Sequence, residues 1–568
     1  MLSMLLAGCA AQPNPRAPSG PGGPSAPVVP PGNASEMVVT AHRLASEAGL
    51  AMLRQGGAPI DAAVAAQAVL GLVEPQSSGP GGGSVLLTWQ TSNGPAGGTM
   101  SVFDGTPRAG RHAAAGLNTD AAGKPLDPGA VMHGGGAVGV PGTLPALWAA
   151  HKAQGRLPWA DLFAPAIKLA DTGFPMPQAL HDVLAAPEAA TAYAGADWLF
   201  GAGHEVLAVG AQVRNPAYAT TLRRVARLGP EGLYGEGALS DLLAALGRGP
   251  QPSLLTAEDF RDYRVTEPAA LCMPWREWRL CTAPPPSFGG LLALQMLAMA
   301  GSGDLADAGF AHRFLDAGQL SQADRRRYAA DPEAVPVPVR GLLDPAYLAA
   351  RAAQITPDHA IAHPRPGEPP MDAESAMRED PGIPTTATSQ IVVVDRAGNA
   401  LSMTTSVTHV FGARVMVGGM ALNNALTNFS PAPPSGVHYA NEMAPNKRPA
   451  TPMAPVAALD AAGRLVLLGG SGGGPGVPDF VAAALLDLLP GHRTPAEAVA
   501  RPHISAADPD YVAVEAGTAA EQLMPDLRAL GHQVRAEPLP SGSAFVVRTD
   551  RGWAGAADPR RDGVALGD

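Results

Sequence analysis

TTATSQIVVVDRAGNALSMTTSVTHVFGARVMVGGMALNNALTNFS, residues 385–430, is the stretch around which this chain is organised. It contains a β-branched run from Ile391 to Val394, the turn Asp395-Arg-Ala-Gly398-Asn399, and a second strand-like segment from Ala400 to Thr405. Two hydroxyl residues, Thr388 and Ser389, precede the first strand and follow the small residue Ala387. A strand fixes the direction of a side chain at its start while loops bring partners to it, which suits a nucleophile. Thr and Ser are also common at strand starts for structural reasons, so spacing alone does not separate the two readings.

The same residues resemble the processing site of the gamma-glutamyltransferase family (gamma-glutamyl transpeptidases, glutathione hydrolases). In that family a Thr-(Thr/Ser) pair opens a V-V-D-x-x-G-N-A-(V/L)-S-x-T run, followed by F-G and then L-N-N. Anchoring on Val393-Val394-Asp395 and Gly398-Asn399 places the family nucleophile at Thr388 rather than at Thr385 or Thr386.

The resemblance runs along the chain. A helix with apolar Leu44, Ala48, Ala51 and Met52 on one stripe stops at Gly56-Gly57. An Ala-rich buried helix follows from Ile60 to Leu72, then Glu74-Pro75, the turn Gly79–Ser84 and the strand Val85–Thr88. The glycine turn lacks a Walker lysine and does not open a helix, so it does not read as a phosphate cradle. Gly136–Thr143, Gly155–Trp159, Ala164–Ala170, Ala283–Gly290, Asp324–Tyr328 and Pro445–Pro449 are similar to further family segments. So are Thr451–Met453 and the closing Ala557-Asp-Pro-Arg560-Arg561. A strand from Arg464 to Leu468, the loop Gly469–Gly474 and a helix from Phe480 to Leu488 lie between them.

Bulk properties exclude several partner classes. The 568 residues carry a net charge of −11, which argues against a nucleic-acid partner. Three cysteines are too few for a disulfide scaffold, although Cys272 and Cys281 flank a short strand–turn–strand and could pair or stay free thiols. No apolar run reaches the roughly 18 residues of a membrane-spanning helix. Leu5-Leu6-Ala7-Gly8-Cys9-Ala10 resembles a bacterial lipobox, which implies lipidation of Cys9 and a membrane-anchored protein of the periplasm. The expected organisation is a signal over 1–9, a disordered Pro/Gly-rich tether over 10–36, a large subunit over 37–387 and a small subunit over 388–568. Residues 363–384 are rich in Pro and acidic residues, and are expected to form a flexible, exposed approach to Thr388. His359 and His363 have i,i+4 spacing, but prolines follow at once and no third ligand accompanies them. No metal and no cofactor are expected.

The resemblance implies an α/β (α+β) fold, the four-layer α-β-β-α sandwich of N-terminal-nucleophile hydrolases, cut between Ala387 and Thr388 into two chains that stay together. It implies a Thr388 acyl-enzyme that passes a γ-glutamyl group to water or to an amine acceptor. The oxyanion glycines fall on Gly473 and Gly474, and Ser406 stands at the family's second threonine. Substrate contacts fall on Thr408, Asn428, Thr451 and Pro452. Here the chain departs from the pattern. Thr106 replaces the arginine for the substrate carboxylate, with Arg108 two residues on as a substitute. Asn428 replaces the aspartate for the substrate ammonium, and Ala425 a glutamine or glutamate. Acyl-transfer machinery is kept while recognition of glutamate is not, so a glutaryl (cephalosporin-type) amide acylase is the alternative. Two others are an inactive family member and a serine hydrolase. The last rests on Gly469-Gly-Ser471-Gly-Gly473, which fits G-x-S-x-G with Asp479, His503 and His532 downstream.

Overall fold

The computed structural model describes residues 34–568 except 93–96, 115–130, 187–194, 249–250, 372–376, 381–386, 435 and 490. Cys9, its lipobox and nearly all of the tether lie outside the described residues.

Twelve strands build the two central sheets. In chain order they are β1 (Met37–Thr40), β2 (Gly83–Thr91), β3 (Gly98–Gly105), β4 (Leu271–Trp275), β5 (Trp278–Thr282) and β6 (Ala387–Val394). They continue with β7 (Ala400–Thr408), β8 (Val456–Leu459), β9 (Leu465–Gly470), β10 (Ala544–Thr549), β11 (Gly552–Ala557) and β12 (Val564–Gly567). The first sheet has the order β12-β1-β6-β7-β2-β3 and the second β11-β10-β9-β8-β5-β4. All pairings within both sheets are antiparallel.

The period-two alternation of the β6–β7 hairpin assigns the layers. Ile391, Val393, Leu401 and Met403 pack into a core shared with helices α1 (Arg43–Arg54) and α2 (Pro59–Val73). Val392, Val394 and Ala400 face the other way, meeting Ala457, Leu459, Leu468 and Val546 of the second sheet. The far face of that sheet packs on α3 (Gly289–Ala300), α4 (Ala308–Tyr328) and α5 (Val477–Leu488). This is the four-layer α-β-β-α sandwich. Each fully buried Ile or Val contributes about 1.5–3 kcal/mol through removal of apolar surface from water.

The hairpin turn shows why Asp395-Arg-Ala-Gly-Asn is needed. Gly398 sits at φ +82°, and the Asp395 carboxylate accepts from the Asn399 backbone N–H and side-chain amide, both at 2.8 Å. The strands extend beyond the β-branched run. β6 begins at Ala387 rather than Ile391, and β7 continues to Thr408 rather than ending at Thr405. Hydroxyl residues 388, 389 and 404–406 are buried, and the side chains of all but Thr405 are hydrogen-bonded, so they hold strand conformation that their polarity does not advertise. Gly469 and Gly470, read as loop, finish β9 for the same reason of pairing.

Cys272 and Cys281 are direct cross-strand partners in β4–β5 and are disulfide-bonded. Among the described residues, no helix is long and apolar enough to cross a membrane. The 363–384 approach is less exposed than expected where it is described. Asp380 is buried and bonded to Ser430 Oγ, and Arg378 bridges to Tyr439.

Candidate active site

Thr388 lies at a β-bulge. Ala387 pairs with Thr408 and Ser389 with Thr405, so Ser406 and Val407 together oppose the single residue Thr388. A bulge re-aims side chains locally, and here it turns two hydroxyls toward each other. Thr388 Oγ1 donates to Ser406 Oγ at 3.3 Å, and Ser406 Oγ donates to the Ala387 carbonyl in a short contact. The Thr408 backbone N–H donates to Ser406 Oγ at 2.7 Å. Thr408 adopts φ +86°, an unfavourable conformation for a β-branched residue, and this is what directs its N–H at Ser406.

A glycine turn closes over Thr388 from the second sheet. Ser402 Oγ bonds the Gly469 carbonyl at 2.7 Å, while Gln390 links Ser402 and Thr404, each at 2.8 Å. These polar bridges tie the two sheets together next to Thr388. A side chain on Gly472 would place Cβ 2.4 Å from the Thr388 carbonyl oxygen, so the glycine is needed for the close approach. Gly473 and Gly474 adopt φ +129° and +64° and start the one-turn helix that leads into α5. Gly473 and Gly474, the glycines expected to donate to an oxyanion, lie in this turn, and it is Gly472, in the same glycine run, that approaches Thr388 most closely.

Ser471 is fully buried and bonded to Gly472 O at 2.7 Å and Ser543 Oγ at 2.9 Å. His503 bonds Ser541 at 2.7 Å and His532 bonds His312 at 2.8 Å, while Asp479 accepts from Ser505 and the Ala506 N–H. None of the three bonds Ser471, so the G-x-S-x-G motif does not form a triad. Burial lowers the pKa of His503 and of His532 to about 4 and raises that of Asp479 to about 7. His312, Asp316 and His532 bring possible metal-ligating atoms within 4.8 Å of one another. Both nitrogens of His312 are engaged there, with His532 and with the Thr356 carbonyl. His359 bonds Thr356 and Asp358.

Next to Thr388, Ser389 Oγ donates to buried Glu74 at 2.6 Å, and Arg561 pairs with the same carboxylate at 2.9 Å. Burial raises the Glu74 pKa, opposed by Arg561 and by the Ser389 hydrogen bond. This Ser389–Glu74–Arg561 chain joins three distant segments and was not assigned a role from sequence.

A cavity of ≈ 570 Å³ opens beside the glycine turn and is lined by Asn428, Thr451, Pro452 and Gly473 together with Phe288, Phe480 and Arg325. Asn428 Oδ1 and Thr451 Oγ1 are buried and without hydrogen-bond partners among the described residues, which leaves both ready for a ligand. Arg108 is not among the residues lining this cavity. It pairs with Glu333 at 2.9 Å and donates to Asn446 O. Thr106 is fully buried, with its hydroxyl on Asp104 at 2.6 Å. Buried Arg448 neutralises Asp104 and Asp331 nearby, at 2.7 and 2.6 Å.

Known proteins share this arrangement of chain. A family profile described as gamma-glutamyltranspeptidase matches residues 45–568. The chain is 32% identical over 549 residues to a glutathione hydrolase proenzyme of Bacillus subtilis (strain 168), covering 94% of this chain and 91% of that protein. It is also 32% identical over 548 residues to an acylase ACY 1 proenzyme of Pseudomonas sp. (strain V22), covering 93% of each. The cephalosporin acylase structure from Bacillus halodurans matches with a TM-score of 0.82 at 25% identity, over 97% of this chain and 98% of that one. With a matching profile over nearly the whole length and relatives matched end to end, the chain belongs to the gamma-glutamyltranspeptidase family.

Proposed function

We propose that this protein is a self-cleaving γ-glutamyl acyltransferase and hydrolase, acting on glutathione or other γ-glutamyl compounds through a Thr388 acyl-enzyme. The observation that carries the reading is the Thr388–Ser406–Ala387 arrangement at the bulge. Thr388 Oγ1 attacks the Ala387 carbonyl carbon, and Ser406 donates to the oxygen on which negative charge develops. The C–N bond breaks, the nitrogen takes the proton, and an Ala387–Oγ1 ester remains. Water hydrolyses that ester and frees both the hydroxyl and the α-amine of Thr388.

An α-amine titrates near 7.7–8.0, so it serves as the base that a threonine hydroxyl lacks. The amine takes the hydroxyl proton as Oγ1 attacks the substrate amide, with the N–H groups of Gly473 and Gly474 assigned to the oxyanion. The leaving amine takes the proton, and water or an amine acceptor then releases the acyl group. The products of cleavage are a large subunit ending at Ala387 and a small subunit beginning at Thr388, held together by the shared sheet β1–β6–β7.

N-terminal sequencing of the smaller band on a denaturing gel is expected to start at Thr388. A γ-glutamyl affinity label is expected to add its mass to that residue. A small chain starting elsewhere, or label on Ser471, would overturn the reading. A glutaryl amide acylase is the second reading, favoured by the neutral Asn428 in the cavity. Export as a Cys9 lipoprotein rests on the sequence motif alone; loss of lipid labelling in Cys9→Ala tests it.

A further inference from the structure

A half-buried cation in the cavity wall has no carboxylate of its own. Arg325 lines the cavity with Asn428, Thr451 and Gly473, yet no Asp or Glu among the described residues lies within 4.0 Å of its guanidinium. Its Nε donates to Gln322 Oε1 at 2.8 Å, which fixes the plane of the fork. No hydrogen bond engages its two terminal nitrogens among the described residues. Its neighbours in sequence are satisfied: Arg326 pairs with Glu379 at 3.4 Å and Arg327 with Glu368 at 2.6 Å. Burial lowers the Arg325 pKa from its ordinary value, and the acid that most opposes this is Asp380. Asp380 belongs to the stretch just ahead of the Ala387–Thr388 bond and is held by Ser430, two residues from Asn428. A guanidinium kept in a largely apolar wall is costly unless an anion meets it.

We propose that Arg325 is the anion anchor of the acyl pocket, binding the carboxylate of a dicarboxylic acyl group such as glutaryl or γ-glutamyl. This rests on the Thr388 acyl-enzyme reading and names what its pocket selects. It also explains how the chain dispenses with an arginine at Thr106, whose hydroxyl is turned to Asp104, and with Arg108, which is held by Glu333. The planar fork accepts a carboxylate bidentately, while Thr451 Oγ1 supplies a further donor in the same cavity.

The test compares kcat/KM for glutaryl p-nitroanilide with that for its methyl ester in the self-cleaved enzyme. Wild type is expected to prefer the free acid by about 10- to 100-fold, the strength of one charge-assisted contact. Arg325→Gln is expected to abolish the preference, mainly through KM, and Arg325→Lys to restore part of it. An undiminished preference in Arg325→Gln overturns the proposal. If that variant does not fold, glutarate is tested as a competitor of wild-type hydrolysis of the methyl ester. Stronger inhibition than by glutaramide, weakened in Arg325→Lys, supports the anchor; equal inhibition by the two overturns it. The gel and the Thr388 label report the acyl-enzyme reading separately. Intact self-cleavage and labelling with no carboxylate preference sinks the anchor alone.

Discussion

Ser406 Oγ connects both sides of one peptide junction, lying 3.3 Å from Thr388 Oγ1 while donating to the Ala387 carbonyl. The contact exists because the bulge sets Ser406 and Val407 against a single residue, and because Thr408 turns its N–H inward at φ +86°. In the proposed self-cleavage, a hydroxyl placed there polarises the carbonyl that Thr388 attacks. Ser406→Ala is therefore expected to slow self-cleavage by about 10²- to 10³-fold, as loss of one oxyanion donor does elsewhere. Ser406→Thr keeps the hydroxyl and should cleave at a rate near wild type. A time course of band appearance on a denaturing gel checks both. Cleavage of Ser406→Ala at the wild-type rate would show that the contact is only structural.

Two neighbours in the glycine turn should behave oppositely. Ser471 bonds only Gly472 and Ser543 in this network, so Ser471→Ala is expected to retain self-cleavage and most of the acyl-transfer rate. Gly472→Ala would drive Cβ to 2.4 Å from the Thr388 carbonyl oxygen, a backbone atom with no freedom to retreat. That variant should lose both reactions while Thr388 itself is unchanged. Wild-type turnover in Gly472→Ala would mean the turn is looser than its contacts imply.

The neutral Asn428 sets a third expectation. Its Oδ1 is buried without a partner and can accept one hydrogen bond from a substrate ammonium, but it offers no charge. Asn428→Asp should shift kcat/KM toward γ-glutamyl over glutaryl anilides by about 10- to 100-fold. If wild type already favours γ-glutamyl by several orders of magnitude, another group supplies the charge.

Asp479 gives a stability test with a defined sign. Burial raises its pKa to about 7 from the ordinary 3.8. Between those values the folded protein holds a proton that the unfolded chain has released, so the favourable contribution is complete below the unfolded pKa and is lost as pH rises toward about 7. Asp479→Asn does not titrate. Its stability relative to wild type should therefore improve from about pH 4.5 to about 7 and level off above, measured as denaturant midpoints. A pH-independent difference would show that the carboxyl is ionised throughout.

The helices were legible because each carries its own local signal. The apolar stripe ending at Gly56-Gly57 became Arg43–Arg54, and the Ala-rich run became Pro59–Val73. Strand limits at the nucleophile were not. Thr388, Ser389 and Thr404–Ser406 are polar, and burial between layers holds them in strand, with Ser389 bonded to Glu74, Thr404 to Gln390 and Thr388 to Ser406. The histidines of the serine-hydrolase motif misled for a related reason. Motif spacing records order along the chain, whereas His503 and His532 are turned to Ser541 and His312.

What the sequence determined by itself is what local chemistry encodes: the β6–β7 hairpin with its Gly398 turn, the glycine run where backbone must approach backbone, and Thr388 as the hydroxyl at the anchored position. What only the tertiary structure decided is which side chains share a space. Glu74 meets Arg561, Gly472 meets Thr388, and Arg325 shares a cavity with Asn428 and Thr451. Arg325 is one of three adjacent arginines in the sequence, all half-buried, and charge pattern alone does not say which of them lines a cavity. Its environment comes from helix α4 packing beside a turn more than a hundred residues away, and its place in the cavity wall without a paired carboxylate is a property of that packing.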